Sequence, residues 1–222
     1  MTETPAILVV DDDADNRRIA SAVLSAAGWR VDDVEDGASA IEAVRCGGYA
    51  LVLLDIQMPG LDGYQTAAAM RAAGGVVPIM AFTALRHQDA LDRARDVGMD
   101  GHIGKPFTPD MLIAAVKPWW PDLADHPATR LGAIFGEEEI AGLLGRLHEQ
   151  LVEALAIDAR DTALPARAHK LAGLAGTLGF ADVSRHWLAV SEGDKSALPT
   201  ARIATRRALH DLTRFGPTSQ DN

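Results

Sequence analysis

Leu51-Val52-Leu53-Leu54-Asp55-Ile56-Gln57-Met58-Pro59-Gly60-Leu61-Asp62-Gly63 opens with consecutive aliphatic residues, reaches a carboxylate and then breaks into Pro-Gly and Asp-Gly pairs. An unbroken apolar run of this kind, bounded by turn residues, suits a strand buried on both faces. Strands of that type belong to parallel sheets covered by helices on each side. The segment therefore argues for an α/β fold with an acid at the end of a buried strand.

The flanking sequence repeats the pattern. Ala6-Ile7-Leu8-Val9-Val10 runs into Asp11, Asp12 and Asp13; Ile79-Met80-Ala81-Phe82 runs into Thr83; a shorter signal around His102 and Ile103 leads to Lys105-Pro106. Amphipathic segments of helical period lie between them, near 14–27, 38–46, 63–73, 86–98 and 109–116. Strands alternating with helices predict right-handed crossovers, which bring every strand end to one edge of the sheet. Ligands of open α/β sheets bind outside those carboxyl ends, so Asp11, Asp12, Asp55, Thr83 and Lys105 are expected to converge there. Asp13 and Asp15 read instead as acids at a helix N-terminus, interacting with its dipole.

Carboxylates crowded together repel each other unless a cation neutralises them. Magnesium takes oxygen ligands and is commonly held by one or two carboxylates plus a phosphate. A lysine and a hydroxyl facing it complete what phosphoryl transfer requires, which is positioning and charge stabilisation with little covalent work for the protein.

In order and spacing, Leu8-Val9-Val10-Asp11-Asp12, Leu54-Asp55 through Gly63, Phe82-Thr83-Ala84 and Gly104-Lys105-Pro106-Phe107 resemble the receiver domain of two-component signalling. The resemblance implies a domain over 1–117, folded as a doubly wound, five-stranded, flavodoxin-like parallel sheet. It implies that Asp55 accepts a phosphoryl group and that Asp11, Asp12, Asp55 and the backbone carbonyl of Gln57 hold Mg2+. It also implies that Thr83 and Lys105 bind the phosphoryl oxygens and that the bond before Pro106 is cis. Where the family commonly carries a switching Tyr or Phe, this chain has His102, a smaller ring that titrates near neutrality.

Lys117-Pro118-Trp119-Trp120-Pro121 and the following Asp122 to Pro127 mark a boundary, taken as a linker over 118–127. Its prolines stop the preceding helix and stiffen the connection. The adjacent tryptophans are too apolar for a free linker, so docking of at least one on a domain surface is expected, with a partner-binding patch as the alternative. The remainder, 128–222, reads as all-α, with segments near 129–135, 137–156, 163–178, 181–192 and 197–215. Ile140, Leu143, Leu144, Leu147, Leu151 and Leu155 recur at intervals of three and four, which suits an antiparallel helical bundle. Thr162 is expected to cap the segment 163–178, and Pro165 to lie in its first turn.

His169 stands in that segment, with Ala172, Gly173 and Gly176 following three, four and seven positions later. At helical spacing these small residues share the imidazole's face, leaving room for another protein. Glycine inside a helix costs about 1 kcal/mol relative to alanine, so repeated glycines need a reason such as this or close helix packing around a core histidine. The order His169, Leu171, Gly173, Leu178, Gly179 resembles the histidine phosphotransfer domain, and Gly176-Thr177-Leu178-Gly179-Phe180 is most similar to the version in chemotaxis-type kinases. The resemblance implies that His169 exchanges a phosphoryl group with a receiver aspartate. Two family features are missing. The lysine expected three residues after the histidine is Ala172, and Lys170 points about 100° round the helix. The glutamate that orients the imidazole has no counterpart in the segment from Ser184 to Val190. His87, His126, His148, His186 and His210 read as surface or packing residues.

Two functions follow from the resemblances. One is a phosphorelay protein in which Asp55 is phosphorylated and His169 exchanges phosphoryl groups, with a sensor histidine kinase and a partner receiver or phosphotransfer protein as partners. The other is a receiver-controlled regulator or inhibitor whose bundle docks on a sensor kinase while His169 is slow or silent. No Gly-rich ATP-binding region is visible, so an autokinase is not expected. The chain has 21 Lys and Arg against 31 Asp and Glu, a net charge of -10. Neither half carries the basic footprint of a nucleic-acid binder. There is no membrane-length apolar run and no export leader, so a cytoplasmic protein is expected. The lone Cys46 excludes an intrachain disulfide framework.

Overall fold

The apolar runs form the middle of a parallel sheet. In the computed structural model, which describes residues 6–84, 88–119 and 126–213, the strands are β1 (Ala6–Val10), β2 (Arg30–Val34), β3 (Leu51–Asp55), β4 (Ile79–Thr83) and β5 (Gly101–Gly104). They pair in the order β2-β1-β3-β4-β5, all parallel. Every residue of β1, β3 and β4 is buried. Because side chains alternate across a strand, Leu8, Val10, Val52, Leu54, Ile79 and Ala81 share one face. They pack there with Tyr64, Ala67 and Met70 of α3 (Gly63–Ala72) in one core. The chain divides into two units, Met1–Pro121 and Asp122–Asn222.

β2 has no apolar run to announce it. Arg30, Asp32 and Asp33 are exposed on the sheet's edge, where charged residues discourage pairing with another chain. The other helices of this unit are α1 (Ala14–Ala26), α2 (Gly37–Cys46), α4 (Gln88–Asp96) and α5 (Pro109–Val116); the start of the segment predicted at 86–98 lies outside the described residues. Asp13 caps α1, accepting from the N–H of Asp15 at 2.8 Å and of Asn16 at 3.2 Å, as its place before a helix suggested. Asp62 and Gln65 form a capping box at the start of α3. Gly63 follows directly, and a Cβ there would come within 2.2 Å of the Asp55 carbonyl oxygen. Only glycine lets α3 begin so close to the strand end that carries Asp55.

At the opposite end of the sheet, Arg71 ties α3 to the turns beside it. Its guanidinium donates to the carbonyls of Gly98 at 3.0 Å, Gly75 at 2.9 Å and Val77 at 2.9 Å, and to Asp100 Oδ2 at 2.8 Å. The Asp100 side chain is fully buried and also accepts from the N–H of Ile79 at 2.8 Å. Removing one member of a buried pair strands the other charge. Asp100→Ala should therefore lower the stability of this unit by about 3 kcal/mol or more, measured as a fall in the urea midpoint; a change below about 1 kcal/mol would contradict the clasp.

A 3-10 turn, Lys117–Trp119, follows α5, and Trp119 is buried. Trp120 lies outside the described residues. The second unit contains α6 (Pro127–Phe135), α7 (Glu137–Ala156), α8 (Leu164–Thr177), α9 (Ala181–Ser191) and α10 (Leu198–Thr213). α7, α8, α9 and α10 close a bundle in which each packs on the next and α10 returns to α7, while α6 packs on α7. Ile140, Leu144, Leu147 and Leu151 of the predicted stripe are buried; Leu143 and Leu155 are half-buried at its margin. Trp187 is completely buried and donates through Nε1 to Thr205 Oγ1 at 2.8 Å. Thr162 does not cap α8. The helix starts two residues later, Ala163 stands at the cap, and the Asp161 carboxylate accepts the Ala163 N–H at 2.8 Å. Pro165 does lie in the first turn. α8 ends in a Schellman turn: Phe180 N–H donates to the Ala175 carbonyl at 2.8 Å and Gly179 N–H to that of Gly176 at 3.2 Å, with Gly179 at φ 87°.

His126 caps α6, its Nδ1 accepting the Ala128 N–H at 3.1 Å, while its ring lies 4.8 Å from that of Phe180. Burial pushes its pKa below the ordinary histidine value. Unfolding then takes up a proton, so the contribution to stability is complete above the unfolded pKa of about 6.5 and is lost as pH falls through the lowered folded value. Protonation also removes the acceptor and puts a cation at a helix N-terminus. Between pH 7.5 and 5.5 the melting temperature should fall, and His126→Asn, which caps without titrating, should flatten that part of the profile. An unaltered pH profile in the variant would assign the effect elsewhere.

Candidate functional site

The loops that leave β1, β3 and β5 bring three carboxylates and one ammonium together. Asp11 follows β1 and is completely buried. Its Oδ1 accepts from the Asp13 N–H at 3.0 Å and Asn16 Nδ2 at 3.2 Å, and its Oδ2 from Lys105 Nζ at 2.5 Å. Asp55 closes β3, 8% exposed, with Oδ2 accepting from Lys105 Nζ at 2.7 Å and Oδ1 from the Gln57 N–H at 3.1 Å. Asp12 is exposed, and oxygens of Asp11, Asp12 and Asp55 all lie within 4.8 Å of one another. Thr83 closes β4, buried, and its carbonyl accepts the Lys105 N–H at 2.8 Å. The Lys105 ammonium also lies 4.8 Å from the centre of the Phe82 ring, and the Lys105–Pro106 bond is cis.

One ammonium cannot neutralise three carboxylates. Burial pushes the Asp55 pKa up, and Asp11 adds to the rise, while the hydrogen bonds from Lys105 and Gln57 oppose it. A hard divalent cation suits this donor set: clustered carboxylate oxygens, one of them on an exposed side chain, open to solvent where waters and a phosphate oxygen can complete the shell. Gln57 sits in the turn after Asp55, so its backbone is at the same strand end.

Arg17, on the first turns of α1, belongs to the site although no motif in the sequence marks it. Its Nη1 donates to the carbonyls of Asp11 at 2.7 Å and Asp12 at 3.2 Å, and its Nε to Asp33 Oδ2 on β2 at 3.0 Å. In sequence it is one of two adjacent arginines, Arg17 and Arg18, on a polar helix face, and nothing local separates them. His102 is exposed on β5, paired in register with Ala81 of β4.

In the other unit, α8 exposes His169, Gly173 and Gly176. A Cβ at Gly173 would touch nothing within 4 Å, whereas one at Gly176 would come within 2.8 Å of Ser184 Oγ on α9. Ala172 departs from the expected face. It is 2% exposed and belongs to the bundle core, because a residue three positions on sits about 60° round from His169 and there faces the interior. The small-residue face around the imidazole is thus narrower than the spacing alone implied. His148 is exposed and His210 is buried, in keeping with surface and packing roles; His87 lies outside the described residues. No helix among the described residues is long and apolar enough to cross a membrane.

The family model of the response regulator receiver domain matches residues 7–117. The sensor histidine kinase AruS of Pseudomonas aeruginosa is 32% identical over 219 residues, covering 90% of this chain and 22% of that protein. The DNA-binding response regulator MtrA of Mycobacterium tuberculosis is 38% identical over 125 residues, covering 56% of this chain and 54% of its own. The chain therefore spans about a fifth of the kinase and about half of the regulator. A solved structure of the chemotaxis response regulator CheY4 of Vibrio cholerae superposes with a TM-score of 0.51 and 25% identity, over 53% of this chain and 100% of that one. A match over 90% of the chain necessarily runs beyond the first unit and well into the helical one.

Proposed function

Since the chain belongs to the response regulator receiver domain family, we propose that it acts as a cytoplasmic phosphorelay protein. In this reading 1–117 is the receiver, 118–127 a linker and 128–222 a histidine phosphotransfer bundle. The observation that carries the receiver half is the ammonium of Lys105 held at 2.7 Å from Asp55 and 2.5 Å from Asp11 on one sheet edge.

An Asp55 carboxylate oxygen attacks the phosphorus of a phosphohistidine on a sensor histidine kinase. A P–O bond forms as the P–N bond breaks, and the histidine nitrogen leaves with the electron pair. Lys105 and the Thr83 hydroxyl then bind the phosphoryl oxygens as charge develops on them. Asp11, Asp12, Asp55 and the Gln57 carbonyl would hold Mg2+, which when bound supplies charge neutralisation for the incoming phosphoryl group. His102 takes the place of the family's switching aromatic.

His169 would exchange its phosphoryl group with the aspartate of a partner receiver, the P–N bond on the imidazole forming as the aspartyl P–O bond breaks. Its exposure, with Gly173 beside it, supports this role, as does the AruS match reaching into the helical unit. A second reading makes the bundle a docking or inhibitory surface for a sensor kinase, with His169 slow or silent. The buried Ala172 favours it, since no cation can be offered to an incoming phosphoryl group from that position.

The two part on one measurement. The full chain is incubated with a cognate kinase, a phosphorylated partner receiver and labelled ATP, then separated from both on a gel, and the stability of the label it carries itself is followed. A base-labile fraction marks Asp55 and an acid-labile, base-stable fraction marks His169; only the first is expected if His169 is silent.

A further inference from the structure

An arginine in the first turns of a helix is disfavoured by the helix dipole. Arg17 nevertheless occupies that place with only 14% of its side chain exposed. Its contacts explain why. The fork spans two elements: Nη1 takes the carbonyls of Asp11 at 2.7 Å and Asp12 at 3.2 Å, and Nε takes Asp33 Oδ2 at 3.0 Å, with Glu35 Oε2 3.9 Å from Nη2. Its positive charge is thus directed towards β2 and the turn after it, while its donors hold the backbone of two carboxylate residues. The Asp11 N–H is bonded to the Val34 carbonyl only at 3.3 Å, so Arg17 supplies the shorter tie between this loop and the edge strand.

We infer that Arg17 is a positioning residue for magnesium: anchored on Asp33, it grips the carbonyls of Asp11 and Asp12 and holds their carboxylates in the geometry that the cation requires. The inference rests on the magnesium site proposed above. Groups that orient ligands in this way typically govern metal affinity by about 10- to 100-fold.

Coulomb's law alone predicts the opposite sign. Arg17 is a cation near a cation site, so its removal, if charge were all that mattered, would tighten magnesium binding. Positioning requires the removal to weaken it. Magnesium binding is measured calorimetrically on the full chain at fixed ionic strength and a temperature where circular dichroism shows each variant folded. The wild-type chain should bind, and Arg17→Met should bind about tenfold or more weakly. The magnesium concentration for half-maximal labelling by acetyl phosphate should rise in proportion, while the rate at saturating magnesium changes little.

If Arg17→Met does not fold, Asp33 decides, because it lies exposed on the edge strand. Asp33→Asn and Asp33→Ala lose the same charge, but only Asn keeps an oxygen for Nε. Asp33→Ala should bind magnesium more weakly than Asp33→Asn. Equal affinities for those two, or an Arg17→Met chain that binds as tightly as wild type or more so, would overturn the role of Arg17. A wild-type chain that takes up no magnesium would remove the site itself, and Arg17's role with it.

Discussion

Replacing Asp55 by Asn should reduce labelling of the receiver by acetyl phosphate to background. Asparagine keeps the shape of the strand end and its carbonyl can still accept from Lys105 Nζ, now 2.7 Å from Asp55 Oδ2. What it loses is the anionic oxygen that attacks phosphorus and one of the three carboxylates that gather a cation. Chelating magnesium should have the same effect on wild type, since charge neutralisation and nucleophile are separate requirements. Lys105→Met should slow labelling by about a hundredfold or more, the usual consequence of removing a donor aimed at developing charge. Wild-type labelling by Asp55→Asn would refute the assignment of the phosphoryl acceptor.

The second large effect concerns His169. In a full chain carrying Asp55→Asn, the receiver cannot take the label, so any phosphoryl group arriving from a phosphorylated partner receiver must sit on the bundle. It should be acid-labile and base-stable, and His169→Gln should abolish it without changing the helical circular dichroism, because His169 is exposed. Gly173→Leu gives a sharper test of the face. A Cβ there meets nothing within 4 Å on an exposed face, and leucine is the better helix former by about 1 kcal/mol, so stability should hold or rise while transfer falls through obstruction of the partner. Ala172→Lys, by contrast, should not restore a useful cation. At 2% exposure the added stem must force its way into the bundle, and a lower melting temperature is the expected result. A base-labile label alone, with kinase binding that survives His169→Gln, would favour the docking surface over the relay.

The buried strands and the acids that end them were legible in the sequence because both are local. A strand covered on two faces must be apolar at every position, and Ala6–Val10, Leu51–Asp55 and Ile79–Thr83 are apolar up to their polar ends. Parallel crossovers then require the polar ends to share an edge. The helical half was legible for a similar reason, since Leu144, Leu147 and Leu151 fall on one face of α7 by period alone. β2 was not, because an edge strand bearing Arg30, Asp32 and Asp33 has no apolar signature, and its place comes from pairing with β1. The meeting of Lys105 with Asp11 across 94 residues was expected from the shared sheet edge, but the fold alone decided that Arg17 meets Asp33, 16 residues on, because β2 has no apolar signature to place it. The fold also decided the fate of Ala172: the helical repeat placed it near His169, but a 60° offset separates an exposed stripe from a buried one only once a neighbouring helix is present to cover it.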